Sequence, residues 1–222
     1  MQNFDTTAPI SAVVNVPAGR IQFIAADRAD TTVEVLPVDP KSGRDVKAAQ
    51  QVTVAYEDGV LRIDAAPAKH RVLGSSGSVE VTVQLPAGSR VEAKAASADL
   101  RGVGRLGDVT FESAEGTVKL DEALGARLAL LAGDIAVGRL GGSAEISTKK
   151  GDLHVTEAMS GTVVLRTDAG SVSVGAAPGV SASLDAGTTY GRIHNALKNT
   201  EGTADLTIHA TTAYGDITAR SL

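Results

Sequence analysis

Apolar and polar positions alternate along this chain in short runs, and from Glu115 onward the runs return at a nearly fixed interval. Glu115-Gly116-Thr117-Val118-Lys119-Leu120 is followed by Ala132-Gly133-Asp134-Ile135-Ala136-Val137. Lys150-Gly151-Asp152-Leu153-His154-Val155 and Ala169-Gly170-Ser171-Val172-Ser173-Val174 come next. The same phase reaches back to Ala98-Asp99-Leu100 and forward to Gly191-Arg192-Ile193 and Gly215-Asp216-Ile217. The apolar column two places after the turn is Leu100, Val118, Ile135, Leu153, Val172, Ile193 and Ile217, with spacings of 18, 17, 18, 19, 21 and 24.

Each unit holds two alternating segments. Val109/Phe111/Ser113, Ala126/Leu128/Leu130, Ala144/Ile146/Thr148 and Val163/Leu165/Thr167 precede the turn; Val118/Leu120, Ile135/Val137, Leu153/Val155 and Val172/Val174 follow it. Alternate residues of a strand share a face, so these sets point inward while Thr110, Glu112, Lys119, Glu145, His154 and Arg166 point out. A helix would need apolar positions three and four apart, which these segments lack. Units that cannot bury an apolar face alone must stack. Two strands and two turns in roughly 18 residues predict an all-β fold, a single-stranded parallel β-helix wound as a narrow β-solenoid. Laps lie roughly 4.8 Å apart, like residue above like. The longer spacings near the end predict loops bulging around Gly187-Thr188-Thr189 and Lys198-Asn199-Thr200-Glu201-Gly202.

Residues 1–88 are β-rich but less regular, and are expected to form a cap of diverged coils on the regular laps of residues 89–222, in one continuous domain. Ser11–Val16, Arg20–Ile24, Thr32–Val35 and Val79–Val83 read as strands, with Pro17-Ala18-Gly19 a turn between the first two. Val52–Tyr56 and Val60–Ile63 flank Glu57-Asp58-Gly59, a hairpin signal. One helical turn is expected at Val46–Ala49, and a mobile loop from Lys69 to Gly77. Pro86-Ala87-Gly88-Ser89-Arg90-Val91 repeats Pro17-Ala18-Gly19-Arg20-Ile21 in chemistry.

The run from Val79 through Leu85-Pro86-Ala87-Gly88 to Asp99-Leu100, followed by Gly-Asp laps, resembles a bacterial putative-adhesin family of β-strand-repeat proteins, over residues 10–222. The first lap departs from its usual Ser-Gly-Asp corner with Ser97-Ala98-Asp99. That resemblance implies a single-stranded parallel β-helix and a domain of unknown function. It also implies an association with cell-envelope stress, often beside membrane anchors. No catalytic residues are defined for the family, so none carries over.

Composition narrows the chemistry. Hydrophobic residues make up 43% of the chain but aromatics only 3%, which fits a thin aliphatic interior. The net charge of −5 gives nucleic acid nothing to bind. With no Cys there are no disulfides, no thiolate catalysis and no Cys-ligated zinc. The N-terminus shows no basic region leading into an apolar run, and no stretch approaches the roughly 18 apolar residues of a membrane span. A soluble cytoplasmic location is therefore expected.

Few residues stand out as candidate sites. Asp134 and Asp152 share one place in successive laps, where paired carboxylates could hold calcium or serve as a glycosidase acid and base. Thr117, Ser171 and Arg192 interrupt that column, and carboxylates beside turn glycines are expected to bond local backbone. His154 and His194 are expected two laps apart, roughly 9.6 Å, too far for one zinc. Ser113, Thr148, Thr167 and Thr212 read as turn caps, with no base positioned for a nucleophile. Tyr190 and Tyr214 each precede a turn glycine and would stack, either as a structural corner with no ligand or as a small aromatic platform for a sugar or a peptide. The sequence thus predicts no enzyme, no metal and no cofactor. It predicts a binding or scaffold module with an unknown protein or glycan partner and scope for homo-oligomers through the solenoid ends. The rivals are a self-assembling scaffold like the bactofilins, growing from an uncapped Asp216–Arg220 lap, and a polysaccharide-active β-helix enzyme.

Overall fold

A computed structural model describes residues 1–65, 77–199 and 203–222. The described residues form 17 strands in one hydrogen-bonded sheet and a single helix, an all-β architecture. Each central repeat supplies one strand to each of two parallel ladders. In the first, β10 (Ala144–Lys150) lies between β8 (Val118–Ala132) and β12 (Gly161–Ala169). In the second, β11 (Leu153–Ala158) lies between β9 (Ile135–Leu140) and β13 (Val172–Ala176). Val118 pairs with Ile135, Ile135 with Leu153 and Leu153 with Val172, as the spacing predicts. β8 and β7 (Arg90–Glu115) run through corners without a break, so each joins both ladders: Leu100 meets Val118 and Phe111 meets Leu128.

The interior follows the alternation. Leu128, Ile146, Leu165, Val118, Ile135, Leu153 and Val172 are all buried, as is Phe111, one of the largest enclosed side chains. Each such aliphatic side chain contributes roughly 1.5–3 kcal/mol by leaving water. The outward set is held more weakly. Lys94 meets Glu112 at 3.3 Å, Arg127 meets Glu145 at 3.8 Å and Arg139 meets Glu157 at 3.1 Å. Exposed pairs of this kind contribute about 0–1 kcal/mol each.

At the N-terminal end, β2 (Ser11–Ala26) pairs in parallel with β7 on one flank. On the other flank it pairs in parallel with β5 (Val60–Ala65) and β6 (Val79–Pro86). Ile21 therefore sits between Leu100 and Val81. The two Pro-Ala-Gly motifs are not equivalent: Gly19 lies opposite Ala98, whereas Arg90, two residues after Gly88, lies opposite Ser11. They turn the chain at different corners, because any tight corner selects the same residue types. Antiparallel strands then finish this end. β3 (Asp30–Pro37) pairs with β6, β1 (Gln2–Asp5) with β3, and β4 (Val52–Glu57) with β5. Phe4 of β1 packs against Tyr56 of β4, ring centroids 5.4 Å apart. The β4–β5 turn has positive φ at Asp58 (49°) and Gly59 (77°), the pattern of a two-residue hairpin. α1 (Gly43–Gln50) is longer than the single turn expected, since Ser42 caps it by accepting from the Asp45 backbone N–H at 3.4 Å. The expected mobile loop falls almost wholly on residues 66–76, outside the described residues.

The other end departs from sequence order. The last strands of the chain, β16 (Leu206–Tyr214) and β17 (Ile217–Ser221), sit between β12/β13 and the earlier pair β14 (Ala182–Tyr190) and β15 (Ile193–Ala196). Val172 pairs with Ile217, and Ile217 with Ile193. Two expectations change. Gly187-Thr188-Thr189 belongs to β14 and is no bulging loop, and the outermost edge is β15, not Asp216–Arg220. The second expected bulge includes residues 200–202, outside the described residues. One side-chain contact accompanies the threading. Asp216 Oδ1 accepts the Arg192 backbone N–H at 2.8 Å, and its Oδ2 lies 3.4 Å from the Arg192 guanidinium. In sequence order Arg192 would stand on the other side of Asp216 and, having no acceptor, could not make this bond in return.

Candidate functional site

The conspicuous surface is the glycine corner joining the two ladders. In space its column reads Asp99, Thr117, Asp134, Asp152, Ser171, Asp216 and Arg192. Asp99 Oδ1 accepts the Thr117 N–H at 2.8 Å, Asp134 Oδ1 accepts the Asp152 N–H at 2.8 Å and Asp152 Oδ1 accepts the Ser171 N–H at 2.7 Å. Each carboxylate thus staples its own repeat to the next one, rather than capping its own turn. This is a structural duty, and it draws on an oxygen that a metal or a proton transfer would otherwise use. Among the described residues no group of three or more His, Asp or Glu is placed to hold a metal ion.

The hydroxyl column just inside the corner divides: Ser113 and Thr148 donate within their own turns, to the Glu115 carbonyl at 2.8 Å and the Lys150 carbonyl at 3.3 Å, and three others bond across repeats. Thr167 donates to the Gly151 carbonyl at 3.0 Å, Thr212 to Gly170 at 2.9 Å and Thr188 to Gly215 at 3.1 Å. These side chains reach back one repeat and satisfy part-buried corner carbonyls. His154 and His194 are farther apart than expected. His154 lies opposite Ser173, Ser173 opposite Thr218 and Thr218 opposite His194, three strand spacings or roughly 14 Å.

Tyr190 and Tyr214 are brought together. They lie directly opposite each other in β14 and β16, rings stacked at 5.0 Å between centroids with 8° between planes. They remain 64% and 60% exposed, so the stack encloses no core. Beside it an open groove of about 470 Å³ is lined by Arg192, Ile193, His194, Asp216, Ile217 and Thr218. The arrangement offers an aromatic face next to a cation, an imidazole and a carboxylate. Asp134 and Asp152 lie further along the same corner line. Sequence reasoning singled out the tyrosines but missed Arg192 as the partner of Asp216. The signal was there: opposite charges at one column position in the last two repeats.

Among the described residues no helix is long and apolar enough to cross a membrane. None of the curated proteins matches the chain. Similar solved structures include a putative lipid binding protein from Parabacteroides distasonis ATCC 8503, at 12% identity over 98% of this chain and 95% of that one, with a TM-score of 0.51. A putative adhesin from Bacteroides fragilis NCTC 9343 shares 13% identity over 98% and 95%, with a TM-score of 0.47. Another putative adhesin from the same Parabacteroides distasonis strain shares 14% over 98% and 95%, with a TM-score of 0.44. At these identities the likeness bears on fold alone. The Toastrack DUF4097 family model matches residues 12–221, nearly the whole chain, and the protein belongs to that family.

Proposed function

We propose that this chain is a non-catalytic binding and scaffold module whose two ladders wind as one single-stranded parallel β-helix, a narrow solenoid of about 18 residues per turn. Parallel partners 17, 18 and 19 residues apart, with one strand per repeat in each ladder, support that winding. The contact surface is the corner of Tyr190 and Tyr214, and the observation that carries it is the stack itself. Two coplanar rings left largely in water are an interface feature, since buried aromatic anchors dominate binding energy. A sugar ring or a peptide side chain lies on the tyrosine face, and Arg192, His194 and Asp216 supply hydrogen bonds from the groove. The partner is a protein or a glycan of the cell envelope, the setting that the family resemblance implies. Affinity capture from the source cell tests this, with wild type beside the double variant Tyr190→Ala/Tyr214→Ala. Loss of one specific partner from a variant with wild-type circular dichroism is the expected result, and identical capture overturns the site.

An enzyme acting on acidic polysaccharide is the weaker reading, because Asp134 and Asp152 are occupied with backbone N–H groups. Turnover of an acidic glycan that Asp152→Ala abolishes would reverse this. A self-assembling scaffold has one observation in its favour: among the described residues, β14 pairs with no strand but β16, and β15 with none but β17.

A further inference from the structure

We propose that Tyr190 and Tyr214 form an oxidative cross-linking site, where a peroxidase-type one-electron oxidant joins the two rings by a carbon–carbon bond. The proposal needs only the observed stack and stands whether or not the corner also holds a partner. Composition points to it first. Cysteine, tryptophan and tyrosine are the side chains that give up a single electron most readily, and the chain has no Cys, no Trp and only 3 Tyr. Electrons drawn from this protein one at a time therefore come from tyrosine. Its 2 methionines follow a different route, addition of oxygen to sulfur.

Position then selects the pair. Tyr56, the third tyrosine, is partly buried and packs against Phe4, which has no phenol to oxidise. Tyr190 and Tyr214 face each other across a parallel ladder, ring centroids 5.0 Å apart and planes at 8°. Next in that column come Ala169 and Lys150, so the stack holds these two rings and no third. Both rings are more than half exposed, open to an oxidant and to the water that takes up phenolic protons. Exposed side chains re-orient within roughly nanoseconds, so rings already in contact sample edge-to-edge approaches with the backbone at rest.

The electrons and atoms balance. Each phenol gives one electron to the oxidant and its O–H proton to water, which leaves a phenoxyl radical. The unpaired electron spreads to the ring carbons ortho and para to oxygen. The para carbon, Cγ, already carries the side chain, so the free positions are the Cε carbons. The two unpaired electrons pair as one Cε–Cε bond. Each joined carbon then loses its hydrogen as a proton while the oxygen of its ring takes one up, restoring two phenols. Two electrons and two protons leave in all, and one hydrogen peroxide accepts them to become two waters. The product ties β14 covalently to β16, its partner in the ladder.

Treatment of the dilute full chain with a haem peroxidase and hydrogen peroxide tests the proposal. Wild type is expected to gain the blue fluorescence of a linked tyrosine pair. Mass spectrometry of the digest is expected to find Tyr190 joined to Tyr214 within one chain, at the summed peptide mass less two hydrogens. Tyr190→Phe and Tyr214→Phe each keep a ring and remove the phenol, and each is expected to abolish the product with unchanged circular dichroism. Tyr56→Phe is expected to react like wild type. Absence of a linked pair in wild type overturns the proposal. So does a link through Tyr56, a link formed chiefly between chains, or survival of the product in Tyr190→Phe or Tyr214→Phe. No binding partner enters the reaction, so its result is independent of partner capture at the same corner.

Discussion

At Gly151 the backbone has φ of +146°, and a Cβ built there would lie 2.1 Å from the Gly133 carbonyl oxygen and 2.5 Å from its carbon. Both obstacles are backbone, so neither can swing aside, and the corner admits only a residue without Cβ. Gly151→Ala is expected to destabilise the chain by about 2 kcal/mol or more, while Gly187→Ala, whose Cβ meets nothing within 4 Å, stays within about 0.5 kcal/mol. Urea unfolding of the two variants checks this, and equal midpoints would refute the account of the corner. At this scale the sequence was informative. Inward Leu128, Ile146 and Leu165 and outward Glu112, Lys119 and Arg166 stand where the alternation put them. The carboxylates needed more than pattern: Asp134 and Asp152 reach the next repeat's N–H groups, a distance no single turn contains.

Among the elements, α1 depends most on a single ionised group. Asp45 accepts the Ser78 backbone N–H at 3.1 Å and the Asp39 N–H at 3.2 Å, tying the helix to the exit of β3 and the entry of β6. The Ser78 bond, foremost among the causes, holds the Asp45 carboxyl below its ordinary value of 3.8. The folded form is the stronger acid, so its stabilisation is complete above the unfolded value and is lost as pH falls through the lower, folded one. As pH drops below about 4, exchange at the Ser78 amide and along α1 is expected to outpace exchange in β9–β13. In Asp45→Ala this extra, pH-dependent acceleration disappears because the tie is already gone. Hydrogen exchange across that range is the measurement, and unchanged acid behaviour in Asp45→Ala would sink the assignment. The helix was only half legible in sequence, because Ser42 extends it backward from the short apolar run at Val46–Ala49.

For the whole molecule, the order of repeats was the one large feature that spacing did not reveal. Every repeat offers the same columns, so Val172 accepts Ile193 or Ile217 equally well, and spacing alone cannot choose between them. In the order found, Asp216 accepts the Arg192 backbone N–H. The absence of native cysteine makes this threading directly testable. Ser173 and Thr218 face each other in adjacent strands, whereas Ser173 and His194 are two spacings or roughly 9.6 Å apart. A disulfide needs Cα atoms within about 7 Å. Ser173→Cys combined with Thr218→Cys is therefore expected to cross-link under mild oxidant, and Ser173→Cys with His194→Cys is expected to stay reduced, as read by mass spectrometry. Sequential stacking predicts the reverse, because β15 would then lie directly on β13. The same result bears on the end of the molecule. Only with β15 outermost is Ile193 the exposed member of its column, as its 46% exposure has it.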